Sequence, residues 1–214
     1  MLFFINFKAY SESTSRNALK LVRSIENSSI PKESIVLVLN PLDSLIETRL
    51  TKYVQTAEPL DSGPFTGHIP IGVLKEYQYS GLMLNHSEHK ISTEKIRQSI
   101  EMASRLGLRT LVCAADLEEI RNVVIFHPDF IAYEPPELIG GNTSVSTAKP
   151  EIIEEAAELL RGSGSKLIVG AGIKNREDIR ASRNLGAEGV LVASGVVKSP
   201  DPMKVVVEMM KEVV

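Results

Sequence analysis

One pattern restricts this chain more than any other. Eight times, a short apolar run is followed by a longer stretch whose apolar residues return every three or four positions. The first spacing suits a buried strand and the second an amphipathic helix. The runs predict strands at Leu2–Asn6, Ile35–Leu39, Tyr53–Thr56, Gly81–Leu84, Leu108–Cys113, Phe130–Tyr133, Lys166–Val169 and Gly189–Val192. They predict helices at Ser13–Glu26, Leu42–Leu50, Ile71–Tyr77, Thr93–Leu106, Leu117–Ile125, Lys149–Leu160, Arg176–Leu185 and Pro202–Val213. Strands that are apolar without alternation belong to a parallel sheet covered on both faces. Eight parallel strands with crossover helices close naturally into a (β/α)8 barrel. The units average about 27 residues in a chain of 214, near the compact end of that architecture. An open doubly wound sheet is the competitor, but it would place a glycine fingerprint after its first strand. Lys8-Ala9-Tyr10 stands there instead.

Nothing divides the chain, so residues 1–214 read as one domain: there is no linker, charge block or low-complexity tract. The formal net charge is −3, and no stripe of Lys and Arg is present to bind a nucleic acid backbone. No apolar run approaches the roughly 20 residues that cross a bilayer, so no membrane partner is expected. The apolar start, Met1–Lys8, is too short for a signal peptide and reads as the first strand, which gives the expectation of a cytoplasmic protein. The single cysteine, Cys113, excludes an intrachain disulfide and a cysteine-rich zinc site.

Active sites of such barrels lie at the carboxyl ends of the strands. Asn6 and Lys8 follow strand 1, Asn85-His86-Ser87-Glu88 follow strand 4, and Glu134 follows strand 6. Gly170-Ala171-Gly172 follow strand 7, and Ala193-Ser194-Gly195 follow strand 8. Each has a plain reading when taken alone. Asn6 ends a strand, Lys8 is a solvated charge, His86 a satisfied polar group, Glu134 a rim ion-pair partner, and the glycines helix-entry turns. Together they converge on one mouth. There a carboxylate, an imidazole and an ammonium supply a base, an electrophile and a fixed positive charge. The small-residue turns leave backbone N–H groups for an anion. A long loop with Gly140-Gly141-Asn142 at its tip follows Pro135-Pro136 and suits a lid.

These residues resemble the triosephosphate isomerases, in their short archaeal form, whose fold is the TIM barrel. The matching segments are Asn6-Phe7-Lys8, Phe65-Thr66-Gly67-His68, Asn85-His86-Ser87-Glu88, Tyr133-Glu134-Pro135-Pro136-Glu137-Leu138-Ile139-Gly140, Gly170-Ala171-Gly172-Ile173 and Val192-Ala193-Ser194-Gly195. They run in family order over nearly the whole chain. The resemblance implies interconversion of dihydroxyacetone phosphate and D-glyceraldehyde 3-phosphate, with no metal or organic cofactor. It implies Glu134 as general base, His86 as electrophile, Lys8 as counter-charge and Asn6 as the group orienting Lys8. Asn6, Phe7, Lys8, Ile139, Gly172, Ala193 and Ser194 would contact substrate. Thr66 would reach a neighbouring subunit of a homo-oligomer, dimer or tetramer, and Glu88 would organise Lys8. His89-Lys90 stands where arginine is usual, and Tyr77 and Tyr79 where small residues are usual, which bears on surface or assembly. Two rivals are another phosphate-binding barrel enzyme, such as an aldolase with a Schiff-base lysine or an isomerase of an amino-acid pathway, and a non-enzymatic phosphate-binding barrel. Glu134 at the strand 6 exit counts against the aldolase, and the joint presence of Lys8, His86 and Glu134 against the second.

Overall fold

β-Branched and aliphatic runs form eight strands in the computed structural model of the protein, which describes residues 1–139 and 144–213. They are β1 (Leu2–Asn6), β2 (Ile35–Leu39), β3 (Thr51–Val54), β4 (Gly81–Leu84), β5 (Arg109–Ala114), β6 (Phe130–Tyr133), β7 (Lys166–Val169) and β8 (Gly189–Val192). All pair in parallel in chain order, and β8 closes on β1 with Phe4 opposite Leu191. The expected (β/α)8 barrel is therefore the architecture found.

Alternation along each strand splits the core in two. Phe4, Val36, Val38, Tyr53, Met83, Leu111, Cys113, Phe130, Ala132, Ile168 and Leu191 fill the barrel. Their neighbours in sequence face outward onto the helices. Phe4 packs edge-on against both Tyr53 and Phe130 across the lumen.

The outer layer contains α1 (Arg16–Glu26), α2 (Thr93–Arg105), α3 (Leu117–Val124), α4 (Val145–Ala148), α5 (Pro150–Leu160), α6 (Arg176–Asn184), α7 (Ser194–Val197) and α8 (Pro202–Val213). Their starts carry local signals. The side chains of Ser92 and Asp116 accept from the backbone N–H groups of Lys95 and Glu119. Asn175 and Asp178 form a reciprocal capping box. Pro150 and Pro202 occupy first helical positions. No helix among the described residues is long and apolar enough to cross a membrane.

Two expected helices are absent. Residues 42–50 and 71–77 hold only the 3-10 turns Pro41–Asp43 and Ile71–Val73, followed by irregular turns. Lys52, buried on β3, explains the first. Its ammonium donates to the carbonyls of Ser44 and Ile46, each at 2.9 Å, taking acceptors that a helix would use. In the second, the Gly72 N–H donates to Leu60 O at 3.0 Å, which ties that turn to the preceding loop. The Lys52 ammonium also lies 4.8 Å from the centroid of the Tyr79 ring, so Tyr79 is a core residue and not a surface one. The short helices α4 and α7 were not expected. β3 begins and ends two residues earlier than expected, which leaves Gln55 beyond the strand.

The missing helix after β2 is stapled down by Glu26, buried at the end of α1. Its Oε1 accepts from Thr48 Oγ1 at 2.8 Å and the Arg49 N–H at 2.7 Å, and its Oε2 pairs with Arg23 at 2.7 Å. Burial alone would raise the Glu26 pKa. The hydrogen bonds from Arg49, Arg23 and Thr48 outweigh it and hold the pKa down to about 2. A depressed folded pKa contributes stability above the unfolded value and loses it as pH falls. Glu26→Gln is therefore expected to cost about 1–3 kcal/mol at pH 7. The gap should narrow as pH falls from about 4.5 towards 2. Denaturant titrations across that range check this; a gap independent of pH would count against the assignment.

Candidate active site

Continuing the inward alternation one step past the lumen core brings a polar layer to the carboxyl ends of the strands. Asn6 follows Phe4, Gln55 follows Tyr53, Asn85 follows Met83, Glu134 follows Ala132, Gly170 follows Ile168 and Ala193 follows Leu191. Of these, Asn6, Glu134 and Ala193 line a cavity of about 160 Å³ that also has Lys8, His86, Glu88 and Ile139 in its wall. That is below the 300–1,000 Å³ typical of pockets for drug-sized ligands, so the ligand it suits has few heavy atoms.

Lys8 occupies a left-handed turn, φ 50°, after β1. Asn6 Oδ1 accepts the Lys8 N–H at 3.0 Å. Gln55 Nε2 donates to Asn6 Oδ1 at 3.2 Å and to the Lys8 carbonyl at 3.0 Å, which locks the turn from the third strand. The Lys8 ammonium then meets Glu88 Oε1 at 2.6 Å. The lysine side chain is 9% exposed and the glutamate 58%, so the positive end is held in the cavity while its partner faces solvent.

His86 is buried on the loop after β4. The Glu88 N–H donates to its Nδ1 at 3.1 Å, so Nδ1 carries a lone pair and the ring proton sits on Nε2. Nε2 faces Glu134 Oε2 at 3.8 Å, too far for a direct hydrogen bond and close enough for one small group to touch both. Glu134 Oε2 is buried with no hydrogen-bond partner among the described residues. Its backbone N–H is held by Ala114 O at 2.9 Å. A Cβ on Gly170 would lie 2.5 Å from Glu134 Cγ and 2.6 Å from Oε1, so that glycine makes the space the carboxylate occupies. Burial, and then the Glu134 charge, push the neighbouring Cys113 thiol well above its usual range, which keeps it protonated.

The opposite wall is backbone. Ala171 (φ 65°) and Gly172 (φ 73°) are consecutive left-handed residues that turn the backbone beside the cavity. With Ile139, Ala193 and Ser194 they border the cavity. Tyr10 and Lys174 also line it and went unforeseen. Lys90, in the place of an arginine, pairs with both oxygens of Glu119 at 2.6 and 2.8 Å.

One expected substrate contact lies outside the cavity wall. Phe7 is wholly buried in the outer core, where its carbonyl accepts from Ser13 Oγ. Thr66 lies exposed on the loop after β3, outside the cavity wall. The lid tip, Gly140-Gly141-Asn142, lies outside the described residues.

Known proteins match this chain over nearly its whole length. The family profile for triosephosphate isomerase matches residues 1–212. A triosephosphate isomerase of Thermoplasma volcanium is 44% identical over 206 residues, covering 94% of each chain. One from Methanobacterium bryantii is 36% identical, covering 98% of this chain and 95% of its own. One from Methanocaldococcus jannaschii is 35% identical and covers 99% of both. The chain belongs to the triosephosphate isomerase family.

Proposed function

We propose that the chain interconverts dihydroxyacetone phosphate and D-glyceraldehyde 3-phosphate through an enediolate, the reaction of its family in glycolysis and gluconeogenesis. The observation that carries this reading is the pair His86 Nε2 and Glu134 Oε2, 3.8 Å apart beside the sheltered Lys8 ammonium. Glu134 removes a proton from the carbon bearing the hydroxyl and returns it to the adjacent carbon. The Nε2 proton of His86 passes to the carbonyl oxygen, and the ring recovers one from the neighbouring hydroxyl. Lys8 balances the charge that develops on the oxygens. Asn6 aligns Lys8, and the backbone at Gly172, Ala193 and Ser194 receives the phosphate. Every proton taken is returned, so the isomerisation needs no other reactant.

Coupled to a dehydrogenase that consumes dihydroxyacetone phosphate, the purified protein should convert glyceraldehyde 3-phosphate. Borohydride added with substrate should leave the protein mass unchanged. A trapped adduct of substrate on a lysine would instead point to an aldolase, and absence of turnover would overturn the reading.

The working unit is a homo-oligomer, dimer or tetramer, in this proposal. Its support is exposed apolar surface on the turn after β2, where Leu42 is 90% and Leu45 81% exposed. Sedimentation velocity should find no monomer at micromolar concentration. Cytoplasm is the compartment in which such a substrate would be met.

A further inference from the structure

Asn85 stands between the end of β4 and His86 and has no part in the mechanism above. It is 5% exposed and left-handed, φ 60°, a conformation that Asn tolerates better than most residues. Its side chain engages the backbone of two elements. Oδ1 accepts the Ile91 N–H at 3.2 Å, which closes the loop carrying His86 and Glu88. Nδ2 donates to the Cys113 carbonyl at 3.0 Å, near the end of β5. The ladder between β4 and β5 ends at Leu84 opposite Val112, so this side chain supplies the next rung. One residue beyond Cys113, the Ala114 carbonyl holds the backbone N–H of Glu134. A continuous path of hydrogen bonds and peptide units thus joins the loop of the imidazole to the seat of the carboxylate.

We infer that Asn85 is a positioning residue that sets the separation of His86 and Glu134. It touches no substrate and acts through the two residues that do. The inference rests on the isomerase reading. Chemistry suffers when reacting groups shift by about 1 Å, whereas binding of the phosphate, held on the opposite wall, does not depend on that separation.

The test uses N85G and N85D beside the wild-type protein. N85G keeps the left-handed backbone without strain and deletes both hydrogen bonds. Its kcat is expected to fall about 10- to 100-fold. Its KM, and its inhibition by glycerol 3-phosphate, should stay within about twofold, because ground-state contacts remain. Inhibition by 2-phosphoglycolate, which resembles the planar intermediate, should weaken in step with kcat/KM. N85D keeps the side-chain size and the acceptor towards Ile91 but turns a carboxylate oxygen to the Cys113 carbonyl. It should show the same split, and it carries the test alone if N85G does not fold. Wild-type kcat in either folded variant, or equal weakening of both inhibitors, would overturn the inference. An inactive wild-type protein would instead overturn the isomerase reading.

Discussion

Lys8→Met is expected to lower kcat/KM by about 10³-fold or more, with little change in stability. The magnitude follows from removing the fixed positive charge that faces the developing enediolate in a small enclosed site. The small stability effect follows from the surroundings. Methionine matches the aliphatic stem and accepts the left-handed backbone no worse than lysine does. Glu88 loses its partner, but at 58% exposure it is already hydrated and is not left as a buried charge. The melting temperature should move by no more than about 4 °C. Binding of glycerol 3-phosphate should also weaken, because the charge serves the ground-state anion too. Retained turnover would remove Lys8 from the mechanism. Loss of activity together with a collapsed melting temperature would make it a structural residue.

Most of the barrel was legible because its strands announce themselves twice, by continuous apolar character and by the polar residue or small-residue turn that follows most of them. The failures lie where side chains far along the chain take over the backbone. Leu42, Leu45, Ile46 and Leu50 have helical spacing, but Leu42 and Leu45 face solvent and no helix forms. Lys52 captures the carbonyls of Ser44 and Ile46, and Glu26 captures the Arg49 N–H. The turns at α4 and α7 are four residues each, too short for periodicity to register.

For the site, reading the strand ends found Asn6, Lys8, His86 and Glu134, which the fold gathers around one cavity. Gln55 was within reach of the same rule, since it follows inward-facing Tyr53 by two positions. It was missed because the strand was placed two residues too late, which hid Gln55 within a strand when it stands at a strand exit. Phe7 was misplaced for a related reason. It shares a motif with Asn6 and Lys8, yet alternation turns its side chain to the opposite face of the sheet, into the outer core. Tyr10 reaches the cavity from the loop after β1, with Lys198 5.1 Å from its ring centroid. Contacts between loops of β1 and β8 have no local signature.

Gly170→Ala is expected to lower kcat by about 100-fold while leaving the phosphate site intact. The added Cβ would stand 2.5 Å from Glu134 Cγ and 2.6 Å from its Oε1, closer than a Cβ approaches any non-bonded heavy atom. No left-handed backbone conformation is involved at Gly170, so the strain falls on the glutamate side chain. That side chain can swing away at modest cost, which spares the fold and removes the carboxylate from its place opposite His86. A displacement of order 1 Å carries about a 100-fold penalty in rate. Inhibition by glycerol 3-phosphate should be little changed. The sharper measurement is a double-mutant cycle with Glu134→Asp, which withdraws the carboxylate by one methylene and is itself expected to cost about 100-fold. Both substitutions act by taking the same carboxylate out of its place opposite His86, so the second should add little to the first. Such non-additivity is the mark of two residues acting through one contact. Losses that multiply in full would mean that Gly170 serves the fold independently of the base, and a Gly170→Ala protein with wild-type kcat would mean that the carboxylate works from another position.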